Sequence, residues 1–390
     1  MSVYARRRLV AVLIVAAIAI GAWAALFRGG DRATEAERGR GIPDAIAGLV
    51  EGLSEPERVD QVLLIGFEGT QATGEIVGEL RAHDVGGVLL DGRNFADPDQ
   101  IAALARILRT VAVAGDQGER SDERIPPLFA VPQEGGVYRA FEALPPEETQ
   151  LEVGDTGSVA AVEEWSREAG EALRAAGVDL NLMPVADVAT LDSPIADRAF
   201  SDDPAIAAPL TAAAVRGCRR ARIACAALHF PGLGAASQDT DEGPATVTLD
   251  GAGLEQRDLE SFRAAFSERV DAVVLSHSFY AAYDPVTPAS LAEPVATDLL
   301  RGELGFEGVA ITDDLGAGAI RAGYPVPEAA VAAIQAGADM LRLDSPRDQR
   351  GVREALLEAV ESGLIEEGRL AEAAGRVLEL KRSVGLLEVP

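Results

Sequence analysis

Charged and polar residues recur at one kind of place in this chain, at the end of short apolar runs. Asp313 and Asp314 follow the run 308–312, Asp344 follows 338–343, and Glu134 comes just after 127–132. Asp187 trails 178–185, and Asp239, Asp241 and Glu242 lie beyond 224–230. Arg93 and Arg139 stand at similar places after 85–90 and 127–132; Arg198 follows Asp197, and His229 and His277 close the runs 224–230 and 271–277. Carboxyl groups facing one cleft can divide the cutting of a glycosidic bond, one attacking or activating water and another group giving a proton to the leaving oxygen. Other chemistries lack their residues. The chain has three histidines, His83, His229 and His277, and no HExxH, CxxC or paired-histidine spacing, which argues against a zinc site. Gly232-Leu-Gly234 starts like a dinucleotide fingerprint, but Gln238-Asp-Thr-Asp-Glu242 follows in place of a third glycine and a helix. A P-loop and a GxSxG elbow are both missing, so no cofactor is expected.

The elements that must position these residues read as eight βα units. The runs 61–67, 85–90, 127–132, 178–185, 224–230, 271–277, 308–312 and 338–343 are nearly continuous in apolar residues, as parallel strands covered on both faces should be. Amphipathic stretches alternate with them, among them Val159–Ala175, where Val162, Trp165, Ala169 and Leu173 recur at helical spacing, and Pro204–Ala221. The chain closes with another over 369–381. Eight units in one run favour a (β/α)8 TIM barrel over an open doubly wound sheet, with chemistry at the carboxyl ends of the strands. No linker divides 43–390, which reads as one barrel domain.

The formal net charge of −28 repels phosphate backbones and argues against a nucleic-acid partner. Two cysteines, Cys218 and Cys225, exclude a disulfide scaffold; their spacing allows one bridge without indicating it. Arg6, Arg7 and Arg8 precede an uncharged apolar run over 9–27, which as a helix of about 1.5 Å per residue would just span a bilayer core. The basic flank predicts export, with the barrel outside the cytoplasmic membrane. Residues 1–28 then form a signal anchor, or a signal peptide cut after Ala22-Trp23-Ala24 that would leave the protein secreted, and 29–42 form a linker.

The strand-end segments resemble glycoside hydrolase family 3, in its bacterial β-N-acetylhexosaminidase branch. The resemblance is carried in order by Ile65-Gly-Phe-Glu-Gly69, Gln133-Glu-Gly-Gly136, Met183-Pro-Val-Ala-Asp-Val188, Ile195-Ala-Asp-Arg-Ala-Phe200, His229-Phe-Pro-Gly232, Ser276-His277 with Pro288-Ala-Ser-Leu291, and Ile311-Thr-Asp-Asp-Leu315. It implies a retaining exo-glycosidase acting on a terminal N-acetylhexosamine of an envelope glycan or a related sugar. Asp313 takes the nucleophile position and Asp314 that of a structural neighbour bound to backbone amides. A helix N-cap is the plainer role for Asp313.

By the same resemblance, the loop after the fifth run supplies the proton. Asp239 matches the family there, while Asp241 stands where the family has a histidine. Asp241 serves as the acid if its pKa is raised by neighbouring carboxylates, and is otherwise a solvated loop charge. Arg198, His229 and Arg139 match sugar-binding positions, though Arg198 could instead pair with Asp187 or Asp197, and His229 could be a satisfied core histidine; His277 reads as structural. Pro132 and Leu228 replace an aspartate and a lysine of the family's pattern. These departures leave a second reading open, a catalytically inactive barrel that binds envelope glycans or a partner protein. Trp165 is the one tryptophan outside 9–27 and lies on an apolar stripe, so the chain lacks the aromatic platforms of a polysaccharide groove.

Overall fold

The computed structural model describes residues 42–114 and 124–388; the expected anchor and most of the linker lie outside them. Eight parallel strands form the barrel: β1 (Leu63–Ile65), β2 (Gly87–Leu89), β3 (Leu128–Val131), β4 (Leu180–Asn181), β5 (Ala224–Phe230), β7 (Ala272–Leu275), β9 (Val309–Thr312) and β10 (Leu341–Leu343). Each falls within one of the eight apolar runs. Every neighbouring pair is parallel, β1 also pairs with β10, and the ring closes between β9 and β10 through the Ile311–Met340 bridge. The barrel fold read from the sequence is the observed one.

Two apolar layers explain the continuous runs. Leu64, Leu89, Leu128, Ala130, Leu180, Ala226, Val274 and Ile311 fill the barrel interior. Their alternating neighbours, such as Leu63, Val88, Phe129, Val273 and Leu341, meet the surrounding helices. Trp165 belongs to that outer layer, its indole Nε1–H donating to the Glu148 carbonyl at 3.2 Å. Cys218 and Cys225 are both buried and free. Among the described residues no helix is long and apolar enough to cross a membrane.

A second, two-stranded sheet stands outside the barrel and has no counterpart in the sequence reading. Here β6 (Thr246–Val247), from the loop after β5, pairs in parallel with β8 (Phe279–Tyr280), from the loop after β7. It laces together two of the loops above the mouth. At the opposite end Val384 and Leu386 pack against the interior layer and plug the floor.

Candidate active site

Alternation along β9 and β10 decides which charged groups enter the mouth. Val309 and Ile311 face the interior, so Asp313 continues inward just past the end of β9. Met340 faces inward as well, while Leu341 and Leu343 face the helices, which turns Arg342 into the barrel. The Arg342 guanidinium donates through Nη1 to Asp313 Oδ1 at 2.9 Å, and through Nε and Nη2 to both carboxylate oxygens of Asp344 at 2.7 Å each. The Asp314 N–H also donates to Asp313 Oδ1, at 2.9 Å. Burial pushes the Asp313 carboxyl upward, but Arg342, His229 and His277 outweigh it and bring its pKa down to about 2. Asp314 accepts the backbone N–H groups of Gly316 and Asp344 at 3.0 and 3.1 Å, so it braces the turn.

Across the mouth, β5 ends in a register shift against β7 between Leu228 and Phe230, with a cis peptide bond between Leu228 and His229. The His229 ring lies beside Asp187. Asp187 Oδ2 accepts from His229 Nδ1 at 2.8 Å, and Asp187 Oδ1 accepts from the Leu233 N–H at 2.6 Å. His229 Nε2 lies 3.3 Å from Arg198 Nη2 and accepts from it when the ring is neutral. Burial disfavours the charged imidazole, yet Asp187 and Asp313 hold the His229 pKa above its usual value. Arg198 pairs with neither carboxylate suggested by its sequence surroundings. Its two-pronged partner is Glu134 from the Gln-Glu-Gly-Gly turn, at 2.8 Å on both arms, and it lies over the Tyr138 ring at 5.6 Å. Tyr138 in turn donates to Asp197 at 2.8 Å.

The loop that follows carries Asp239 and Asp241. Gly232, at φ 132°, lies so close to Asp258 that an added Cβ would come within 2.1 Å of that side chain; Tyr280 donates to the Gly232 carbonyl at 2.9 Å. The Asp241 N–H donates to Asp239 Oδ1 at 2.9 Å, closing a tight turn. The turn is docked onto the segment that continues from Asp313: the Gly318 and Ala319 N–H groups donate to the carbonyls of Asp241 and Thr240, both at 3.0 Å. Although Asp241 is an exposed residue, its carboxyl is pushed up to about 6. Lost hydration comes first, then the like charges of Asp313 and Asp239; Arg342 and His229 pull the other way.

Asp313, Asp241, Asp239, Arg198 and His229 are thus brought into one electrostatic neighbourhood. Arg139 is not: its Nε donates to the Gly136 carbonyl at 2.7 Å and its Nη1 to that of Leu144 at 3.3 Å, so it braces its own loop. No carboxylate pairs with it among the described residues. Its donors serve here to hold backbone carbonyls. His277 is fully buried and satisfied, its Nε2 bonded to the Asp314 carbonyl at 2.9 Å and its Nδ1 to the Ser290 hydroxyl at 2.7 Å. Burial lowers its pKa. Arg342 is the site residue that inspection of strand ends misses, because it lies inside an apolar run; a charge between Leu341 and Leu343 was the available signal.

A carboxylate held ionised beside a carboxyl that keeps its proton in mildly acid solution is the pairing that acid-assisted double displacement needs. The profile described as "Glycosyl hydrolase family 3 N terminal domain" matches residues 56–380. The chain is 34% identical over 292 residues to a "Beta-hexosaminidase" of Stenotrophomonas maltophilia (strain K279a), covering 73% of this chain and 84% of that one. Among solved structures, it is similar to a family 3 β-N-acetylglucosaminidase from Paenibacillus sp. str. FPU-7, with a TM-score of 0.79 and 33% identity. That match covers 86% of this chain and spans 63% of the Paenibacillus chain. A β-N-acetylhexosaminidase from Beutenbergia cavernae DSM 12333 superposes with a TM-score of 0.75 at 28% identity, covering 85% of this chain and 99% of the other.

Proposed function

Because the chain belongs to glycosyl hydrolase family 3 and is a glycoside hydrolase, we propose that it is a retaining exo-β-N-acetylhexosaminidase in which Asp313 is the nucleophile and Asp241 the proton donor. The carrying observation is geometric: Asp313 is held by Arg342 and the Asp314 N–H, and the Asp239–Asp241 turn is docked on the segment that follows it through Gly318 and Ala319. Their surroundings lower the Asp313 pKa to about 2 and raise that of Asp241 to about 6. In the first step Asp313 attacks the anomeric carbon while Asp241 protonates the departing oxygen, giving a glycosyl-enzyme ester. In the second, Asp241 takes a proton from water, which attacks the same carbon and frees Asp313. Arg198 and His229 are oriented as sugar-binding groups, Arg198 by Glu134 and His229 by Asp187. Asp239 shapes the turn that presents Asp241. The hexosaminidase names of the relatives support an N-acetylhexosaminide as substrate, and the apolar run 9–27 supports export to the cell envelope.

The test is hydrolysis of an aryl β-N-acetylglucosaminide with a good leaving group by the wild type and Asp313→Ala. Wild-type turnover that falls at least about 10³-fold in the variant, with the fold intact by circular dichroism, is expected. No wild-type turnover would sink the reading and point to a glycan-binding barrel.

A further inference from the structure

We infer that Arg342 is a positioning residue that governs how readily Asp313 releases the sugar, by receiving the charge that returns to the carboxylate when the glycosyl-enzyme bond breaks. The inference rests on the reading of Asp313 as nucleophile. The guanidinium is anchored through two of its arms: Nε and Nη2 grip the two oxygens of Asp344 at 2.7 Å. Asp344 is itself fixed, its N–H donating to Asp314 Oδ1 at 3.1 Å and its carbonyl accepting from Arg93 Nη2 at 3.1 Å. Arg342 also donates its backbone N–H to Thr312 Oγ1 at 3.1 Å. That leaves Nη1 aimed at Asp313.

Nη1 and the Asp314 N–H both meet Oδ1 of Asp313, and no hydrogen bond among the described residues reaches Oδ2. Oδ2 is therefore the oxygen open to the anomeric carbon. In the second displacement a water oxygen bonds to that carbon and its proton passes to Asp241. The carbon–Oδ2 bond breaks, and its electron pair returns to the carboxylate and spreads onto Oδ1, where two donors wait. A cation there favours breaking the ester over forming it, because the carboxylate is charged only in the free state. The other charged or titratable groups facing Asp313 are His229 from β5, His277 from β7, Asp241 from the loop and Arg198.

The experiment compares wild type, Arg342→Leu, Arg342→Lys and Asp344→Asn on an aryl β-N-acetylglucosaminide with a good leaving group, by stopped flow, pH profile and mass spectrometry of acid-quenched enzyme. In Arg342→Leu, kcat should fall about tenfold or more, the worth of one charge-assisted hydrogen bond, with KM falling alongside it. A burst of aryl product and a sugar adduct on the Asp313 peptide should appear, and the acid limb of kcat/KM should move up by at least about one pH unit. Arg342→Lys should recover part of each change, and Asp344→Asn should show the same signs more weakly. A parallel fall of kcat and kcat/KM without burst or limb shift would overturn the inference. If the leucine variant does not fold, unchanged bursts and profiles in the lysine and asparagine variants overturn it equally. A wild type inactive on this substrate, by contrast, defeats the functional reading itself.

Discussion

Asp241 and Asp313 share a mouth, and their surroundings drive them apart. Asp313 loses charge only as pH falls toward about 2, and Asp241 loses its proton as pH rises through about 6. With the nucleophile needed ionised and the acid needed protonated, kcat/KM should form a bell in the acid range, its basic limb near pH 6; a pH–rate profile checks this. Asp241→Asn should remove that limb. It should cost about 10²–10⁴-fold on a substrate with a poor leaving group and far less on an activated aryl glycoside, measured side by side. These residues were legible in sequence because they stand after apolar runs. Pairing was not legible: Glu134 and Arg198 are 64 residues apart and Asp313 and Arg342 are 29 apart, and each pair is joined only when neighbouring strands come together in the barrel.

At the scale of elements, the loop after β5 is fastened on two sides, by the β6–β8 sheet and by the backbone bonds at Gly318 and Ala319. A Cβ on Gly318 would approach the Asp241 carbonyl to 2.7 Å, backbone that cannot swing aside. Gly318→Val should therefore lift the acid away from the nucleophile and destabilise the fold by roughly 1–3 kcal/mol. Thermal unfolding gives the second quantity. The first appears as a loss on poor leaving groups that exceeds the loss on activated ones. The barrel strands could be read from the chain because burial on both faces leaves continuous apolar runs. The β6–β8 pair could not, since two residues per strand carry no period to detect.

The whole molecule separates chemistry from stability along the barrel axis. Asp339, fully buried, faces the helices and bonds Arg301, Arg369 and Arg376 at 2.6, 2.6 and 3.1 Å. Burial opposes its charge, but the three arginines bring it down to about 2. Its contribution is fully present above the ordinary carboxylate pKa and is lost as pH falls below that toward the folded value of about 2, so the cluster stays paired in the mildly acid range expected for activity. Asp339→Asn would strand buried arginines and should cost roughly 3–5 kcal/mol in denaturant unfolding. Lys381 is also fully buried, bonded to Gln61 Oε1 at 2.7 Å, and burial lowers its pKa to about 7. Its folded-state pKa is depressed, so it favours unfolding at and below pH 7 and should let stability rise from there toward pH 10. Lys381→Met should flatten that rise in pH-dependent melts. The two ends of the described chain meet nearby: Ile42 lies against Gly375, and Leu387 packs in the same cluster as Ile46 and Ile125. Topologically the barrel unit is a ring whose seam is at the floor, so a label or a solid support fixed at Ile42 or Leu387 sits on the side facing away from the mouth.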